Sequence, residues 1–172
     1  RIEAELQEFA TIDFMTQLPN RRHFMIQIET ELARIQRAKE GIAAILMFDL
    51  DHFKLINDTW GHALGDRTLR HFASILQAEL GTQGIAGRVG GEEFAVVLPH
   101  ADLADARAFA ERVRQRIVEA PLAEGDRRIA LTVSIGIAVM NAADASADAP
   151  LSRSDAALYR AKERGRNRVE CH

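Results

Sequence analysis

Asp49, Glu92 and Glu93 are the side chains of this sequence with the clearest potential for metal and phosphate chemistry. Glu92 and Glu93 follow Gly90-Gly91. On one side lies an apolar segment containing Ile85, Ala86 and Val89, and on the other the apolar run Phe94 to Leu98. That pattern reads as strand, tight turn, strand: a β-hairpin with glycines at its tip. Glycine can take positive φ and lets a ligand approach the backbone closely. Two carboxylates beside bare backbone suit a Mg²⁺ ion and the phosphates it carries. They equally suit a solvated acidic edge. Upstream, the apolar run Ile42 to Phe48 stops at Asp49. A strand that ends in Asp offers a carboxylate where ligands of open α/β sheets commonly sit. Asp49 and Glu92 together could hold one or two Mg²⁺ ions, the arrangement of two-metal phosphoryl transfer. As a purely structural residue, Asp49 would instead cap the next helix.

The elements that must position these groups follow from periodicity. Residues 1–12 read as a helix, with Ile2, Leu6 and Phe9 on one face, too short to fold alone. Pro19 suits a helix start. The helix after it places Phe24, Ile28, Leu32 and Ile35 on one face, and Gly41 breaks it. Ile42 to Phe48 is unbroken apolar sequence, as in a central strand covered on both faces. A second helix turns Leu69, Phe72, Ala73 and Leu76 inward. A third, Asp102 to Ala120, is capped by Asp102 and stopped by Pro121, with Leu103, Ala106, Ala110, Val113 and Ile117 inward. Arg127 to Met140 alternates as one strand, and its small face (Thr132, Ser134, Gly136, Ala138) would admit a closely packed helix. Asn141 to Pro150 reads as a mobile loop, and a last helix runs from about Leu151 to Arg164.

Four segments together carry a family resemblance: Asp49-Leu50-Asp51-His52-Phe53-Lys54-Leu55-Ile56-Asn57-Asp58, Gly61-His62-Ala63-Leu64-Gly65-Asp66, Gly90-Gly91-Glu92-Glu93-Phe94 and Tyr159-Arg160-Ala161-Lys162-Glu163-Arg164-Gly165-Arg166-Asn167. In order and spacing they resemble the GGDEF family of diguanylate cyclases, over nearly the whole chain from Asp13 to Val169. Residues 13–172 would form that domain, and 1–12 a linker or signalling helix descending from an upstream sensor. The order of strands and helices fits an α+β fold. Its core would be a ferredoxin-like, palm-type antiparallel sheet surrounded by helices and carrying the Gly-Gly-Glu-Glu-Phe hairpin.

The resemblance implies condensation of two GTP into cyclic di-GMP and two pyrophosphates. Each domain would hold one GTP, so a homodimer is required. It makes Asp49, the Leu50 carbonyl and Glu92 ligands of Mg²⁺ or Mn²⁺, with Glu93 either a further ligand or the group that deprotonates the 3′-hydroxyl. Lys54 would neutralise phosphate charge, and Lys162 and Arg166 would bind the triphosphate. Without the resemblance, Lys162 and Arg166 read as a basic helix end complementing its dipole. Asn57 and Asp66 can read the guanine edge, amide and carboxylate matching its donors and acceptors; individually they read as turn or cap residues. His62 would touch substrate or cap the next helix, and Phe53 is core more than contact. Many family members carry Arg-x-x-Asp where the cyclic product inhibits; Gly81 and Gly84 stand at those positions, which implies no inhibition there. Arg88 is retained but insufficient, and Arg112 is a secondary candidate. One upstream departure is Gln17, where the family has Gly; it matters if that position needs positive φ.

A length of 172 residues, 47% hydrophobic and 27% charged, fits one soluble domain with a real core. A net charge of −3 argues against a nucleic-acid surface. No apolar run approaches the ~20 residues of a membrane span. Cys171 is the only cysteine, so no intrachain disulfide forms, and a cytoplasmic setting fits, including the cytoplasmic part of a membrane-anchored sensor. The absence of Met at position 1 fits a fragment of a longer protein. A GTP-binding module without activity, and a cyclase for another nucleotide, are the competing readings.

Overall fold

The computed structural model describes residues 10–172. Its helices are α1 (Arg21–Ala38), α2 (Phe53–Trp60), α3 (His62–Leu80), α4 (Leu103–Glu119) and α5 (Asp148–Glu163). The strands are β1 (Ile42–Leu50), β2 (Ile85–Arg88), β3 (Glu93–Pro99), β4 (Leu122–Glu124), β5 (Arg127–Ile129), β6 (Val133–Asn141) and β7 (Val169–Cys171). Five strands form one sheet in the order β2-β3-β1-β6-β7, and β4 and β5 pair in a separate ribbon. The pairings β2–β3, β3–β1 and β1–β6 are antiparallel, as a palm-type sheet requires. β7 joins β6 in parallel, so the sheet as a whole is mixed.

β1 is central because it has no polar residue before Asp49 and is buried almost throughout. Its alternation divides the core. Ala44, Leu46, Phe48 and Leu50 pack with Phe72 and Leu76 of α3 and Phe109 and Val113 of α4. Ala43, Ile45 and Met47 pack on the other side with Phe24, Ile28 and Ile35 of α1 and Leu158 of α5. Asp49 continues this second series, so β-strand alternation directs it to the α1/α5 side. Asn20 caps α1 by accepting from the His23 N–H at 2.9 Å. Asp102 and Asp105 form a reciprocal capping box on α4.

The small face of β6 does admit a helix. A Cβ on Gly136 would collide with the Leu158 nitrogen and the Ser154 carbonyl oxygen of α5. Both are backbone atoms and cannot swing aside.

Several boundaries differ from the sequence reading. Residues 1–9 of the expected first helix lie outside the described residues; 10–12 are not helical, and Ile12 bridges to Pro19. The single strand expected over Arg127 to Met140 is broken at residues 130–132, because β5 folds back on β4 while β6 belongs to the main sheet. α5 begins at Asp148, within the loop expected to be mobile. That loop is instead tied down. Buried Asp144 accepts from Arg153 at 2.8 and 3.0 Å and from the Asn141 N–H at 3.0 Å, while Gln36 donates to the Asp144 carbonyl.

Two outcomes follow from this packing. Gly136→Val should keep the fold only with α5 displaced, lowering unfolding free energy by about 3 kcal/mol in urea denaturation; an unchanged midpoint would contradict the packing. For Asp144, burial acts to raise the pKa, but the Arg153 hydrogen bonds, the Asn141 N–H and the Arg153 charge outweigh it and hold it below the ordinary value. Its ionised form therefore adds stability that is complete above the unfolded-state carboxylate pKa and is lost as pH falls through the depressed folded value. The parent and Asp144→Asn should differ in stability at neutral pH and converge in acid. A gap that stays constant with pH would exclude this linkage.

Candidate active site

The hairpin forms as its sequence demands. β2 and β3 pair with Arg88 opposite Phe94, and Val89 and Gly90 both donate to the Glu93 carbonyl, at 2.9 and 3.2 Å. Neither Gly90 nor Gly91 has positive φ. What matters at Gly90 is space, because the Glu93 carboxylate occupies the position a side chain there would need. The hairpin is pinned to the end of β1: the Leu50 N–H donates to the Glu92 carbonyl at 3.2 Å, and Asp49 lies directly opposite Glu93. Residues distant in sequence thus converge.

Asp49, Leu50, Glu92, Phe53, Lys54, Lys162 and Arg166 line one cavity of about 180 Å³, together with Asp51 and His52. Lys162, in the last turn of α5, approaches Asp49 Oδ2 at 2.5 Å, and Asp49 is only 6% exposed. Arg166 lies beyond the helix in a left-handed turn (φ 63°) with Asn167 (φ 47°). Lys54 is exposed and pairs with Asp58 at 3.1 Å. Phe53 packs against the core, as expected, while also lining the cavity.

The charges are crowded. Burial raises the Asp49 pKa, Lys162 opposes it by hydrogen bond and charge, and Glu92 and Asp51 raise it further. Glu93 is also raised, by burial, by Asp49 and by Asp155, against Lys162 and Arg21. A cluster of carboxylates whose charged forms are disfavoured is one that a cation would stabilise. Among the described residues no three His, Cys, Asp or Glu side chains converge to hold a metal unaided. Two carboxylates and a backbone carbonyl nevertheless fit Mg²⁺, a hard ion that takes few protein oxygens and completes its shell with water and phosphate.

The structure separates the readings left open by the sequence. Asp49 is not a helix cap; His52, in left-handed conformation, occupies that position for α2. His62 is not a cap either. It is the exposed first residue of α3, behind Gly61 at φ 91°. The Asn57 amide rests on Gly65, the residue before Asp66, where a Cβ would collide with its oxygen. Asn57 and Asp66 lie at the α2–α3 junction, outside the carboxylate cavity. Gln17 does take positive φ (63°), stabilised by its side chain donating to the Phe14 carbonyl at 2.9 Å. It sits in the turn that Asp13 closes by accepting from Thr16 and from Arg88 of β2.

At the expected inhibitory position, Gly81 is open to solvent, but a Cβ on Gly84 would run into the Val97 carbonyl oxygen of β3. Arg88 is turned inward onto Asp13 and the Gly90 and Gly91 carbonyls. Arg112 stacks over Phe109 and pairs with Glu79 at 3.8 Å.

Sequence reasoning passed over three residues. Asp51 is buried and accepts from Thr132 Oγ1 (2.7 Å), Ser134 Oγ (2.7 Å) and the Asn167 N–H (3.0 Å). Its place in Asp49-Leu50-Asp51 was the available signal. Arg21 donates to the Val89 carbonyl at 2.9 Å and faces Glu93 and Asp155 electrostatically. Asp155 sits on α5 ahead of Lys162, and nothing in the local sequence singles it out.

Residues 10–168 match the family model described as diguanylate cyclase, GGDEF domain. The chain is 39% identical over 168 residues to diguanylate cyclase A of Treponema denticola, a match covering 96% of this chain and 45% of that protein. It is 38% identical over 164 residues to the response regulator PleD of Caulobacter vibrioides, covering 94% of this chain and 36% of the relative. The chain therefore spans less than half the length of these two relatives. The coiled coil and GGDEF domain of DgcB from Caulobacter crescentus, solved in complex with c-di-GMP, superposes with a TM-score of 0.90 at 31% identity, over 99% of this chain and 90% of that one. A family match of this extent, on a fold that gathers the Gly-Gly-Glu-Glu-Phe hairpin against Asp49, means that this chain belongs to the diguanylate cyclase GGDEF-domain family.

Proposed function

We propose that this domain is an active diguanylate cyclase, joining two GTP into cyclic di-GMP with release of two pyrophosphates. The observation that carries the reading is the convergence of Asp49 and Glu92 with Lys54, Lys162 and Arg166 around one cavity. In this reading Asp49, the Leu50 carbonyl and Glu92 hold Mg²⁺, with Mn²⁺ able to replace it. When bound, the ion supplies charge stabilisation to the phosphoryl group and lowers the pKa of the attacking hydroxyl.

Lys162, Arg166 and Lys54 take the triphosphate, countering charge that builds on phosphate in the transition state. Asn57 and Asp66 select guanine, because adenine would leave their polar groups unpaired. Phe53 bounds the nucleotide site, and His62 plays a supporting part at the mouth of α3. Glu93 accepts the 3′-hydroxyl proton or adds a ligand. The hydroxyl oxygen attacks the α-phosphorus of the GTP held by the facing domain, and pyrophosphate leaves. A cavity of this size holding one nucleotide per chain supports a homodimer with its two sites face to face. GTP as substrate supports a cytoplasmic setting, and no helix among the described residues is long and apolar enough to cross a membrane. The similarity to a response regulator supports control by an input module.

Incubation with GTP and Mg²⁺ should give cyclic di-GMP at a specific activity that rises with protein concentration. Glu93→Ala should lose about a hundredfold or more of that rate, the usual scale for a positioned proton acceptor. Selective GTP binding without product from the parent chain would instead favour a binding module. Because the Gly84 Cβ position is filled by β3 backbone, added cyclic di-GMP should leave the initial rate unchanged. A dose-dependent fall abolished by Arg112→Ala would show that a product site survives without the usual pair.

A further inference from the structure

We propose that Asp51 is a positioning residue for the triphosphate, acting through the left-handed turn that carries Arg166. This rests on the reading of the cavity as a GTP site. Arg166 lies past the end of α5 at Glu163, with its N–H donating back to the Ala161 carbonyl at 2.9 Å. The chain then reverses through Gly165, Arg166 and Asn167, all at positive φ, to enter β7. Two consecutive non-glycine residues in that conformation carry a backbone cost that surrounding contacts must offset.

Asp51, which also lines the cavity, supplies such a contact. Its Oδ2 accepts the Asn167 N–H at 3.0 Å and the Thr132 hydroxyl at 2.7 Å, while Oδ1 accepts the Ser134 hydroxyl at 2.7 Å. The Asp51 N–H in turn donates to the Thr132 carbonyl at 3.0 Å. One carboxylate thereby ties together the end of β1, the start of β6 and the Arg166 turn. Asp49 and Arg166 line the same cavity. Other bonds to the turn come from α5 itself, from Arg168 Nε on the Arg166 carbonyl at 3.2 Å, from β6 through the Arg168 carbonyl, and from the Arg114 side chain on Asn167 Oδ1.

The same bonds separate Asp51 from Asp49 in role. Asp49 has Lys162 as its hydrogen-bonded partner and borders the cavity. Both oxygens of Asp51 are engaged by protein donors and the residue is 6% exposed. A carboxylate so engaged is suited to orienting its neighbours.

The test is calorimetric binding of 3′-deoxy-GTP with Mg²⁺, a nucleotide that cannot condense. Asp51→Ala should weaken binding about tenfold, the scale of one lost charge-assisted contact. In an Arg166→Ala background the same change should add less than about twofold, since it acts through that side chain. Asp51→Asn should recover most of the affinity, because an amide can accept from Asn167 and donate to Ser134. Additive losses in the double variant, or Asp51→Asn as weak as Asp51→Ala, would overturn the proposal, the second outcome pointing to a metal ligand. If Asp51→Ala does not fold, Thr132→Val removes one of the three bonds and should show the same non-additivity at about threefold. A parent chain that does not bind the nucleotide would overturn the GTP reading and this inference together; a parent that binds, with variants unchanged, would overturn this inference alone.

Discussion

The close approach of α5 to β6 is the contact on which the site depends. It exists because one face of β6 is Ser134, Gly136 and Ala138, and at Gly136 the helix backbone rests on the strand. Ser154, Leu158 and Lys162 are spaced four apart on α5 and share a face. Once Ser154 and Leu158 are seated on Gly136, the next turn delivers Lys162 to the end of β1. There it meets Asp49, which register places opposite Glu93 and beside Glu92. Without that cation the end of β1 would gather buried carboxylates with little to offset their repulsion.

Alternation along β1 divides the domain into two functions. The side holding Phe48, Phe72 and Phe94 is closed by tilted aromatic contacts, with ring centroids 5.9 and 4.8 Å apart, and is pure core. The other side ends in Asp49 and Glu93 and is covered by α1 and α5, which carry Arg21, Asp155 and Lys162. A one-residue slip of β3 against β1 would send Glu93 into the aromatic side. The paired phenylalanines therefore help to fix where the acidic groups stand. Asn57 and Asp66 are positioned separately, by the tight α2–α3 junction at Gly61 and Gly65.

Most of this was legible because it is written in local patterns. The unbroken apolar run of β1, the glycine-tipped hairpin, the Asp102 cap and the small face of β6 each have one dominant physical explanation, and each appears as expected. What escaped depends on long-range pairing. β7 is only Val169–Cys171 and exists as a strand because β6 offers an edge. The break at residues 130–132 reflects two different partners for a stretch that alternates continuously. At the cavity, the meeting of Asp49 and Glu92 could be anticipated from strand ends, whereas the partners of Asp51 were hidden: they are Thr132, Ser134 and Asn167, which sequence does not place beside it. Gln17 shows the same limit, since its left-handed φ has no glycine to announce it.

The three basic residues proposed for the triphosphate are not equally free to serve. Lys54 has a side chain 91% exposed, and its link to Asp58 is a surface pair of the kind worth about 0–1 kcal/mol. Turning it toward phosphate costs little, so it can follow charge as the reaction proceeds. Lys162 is two-thirds buried against Asp49, and separating that pair would leave unpaired a carboxylate whose pKa burial already raises, with Glu92 and Asp51 adding to the rise. It is suited to a fixed position shared between Asp49 and phosphate. Arg166 stands between these extremes: its side chain is exposed, but its backbone is committed to a left-handed turn anchored at Asp51. In the proposed reaction, a movable charge, a fixed charge and a charge on an anchored turn would combine a defined geometry for binding with latitude for the change of charge during transfer.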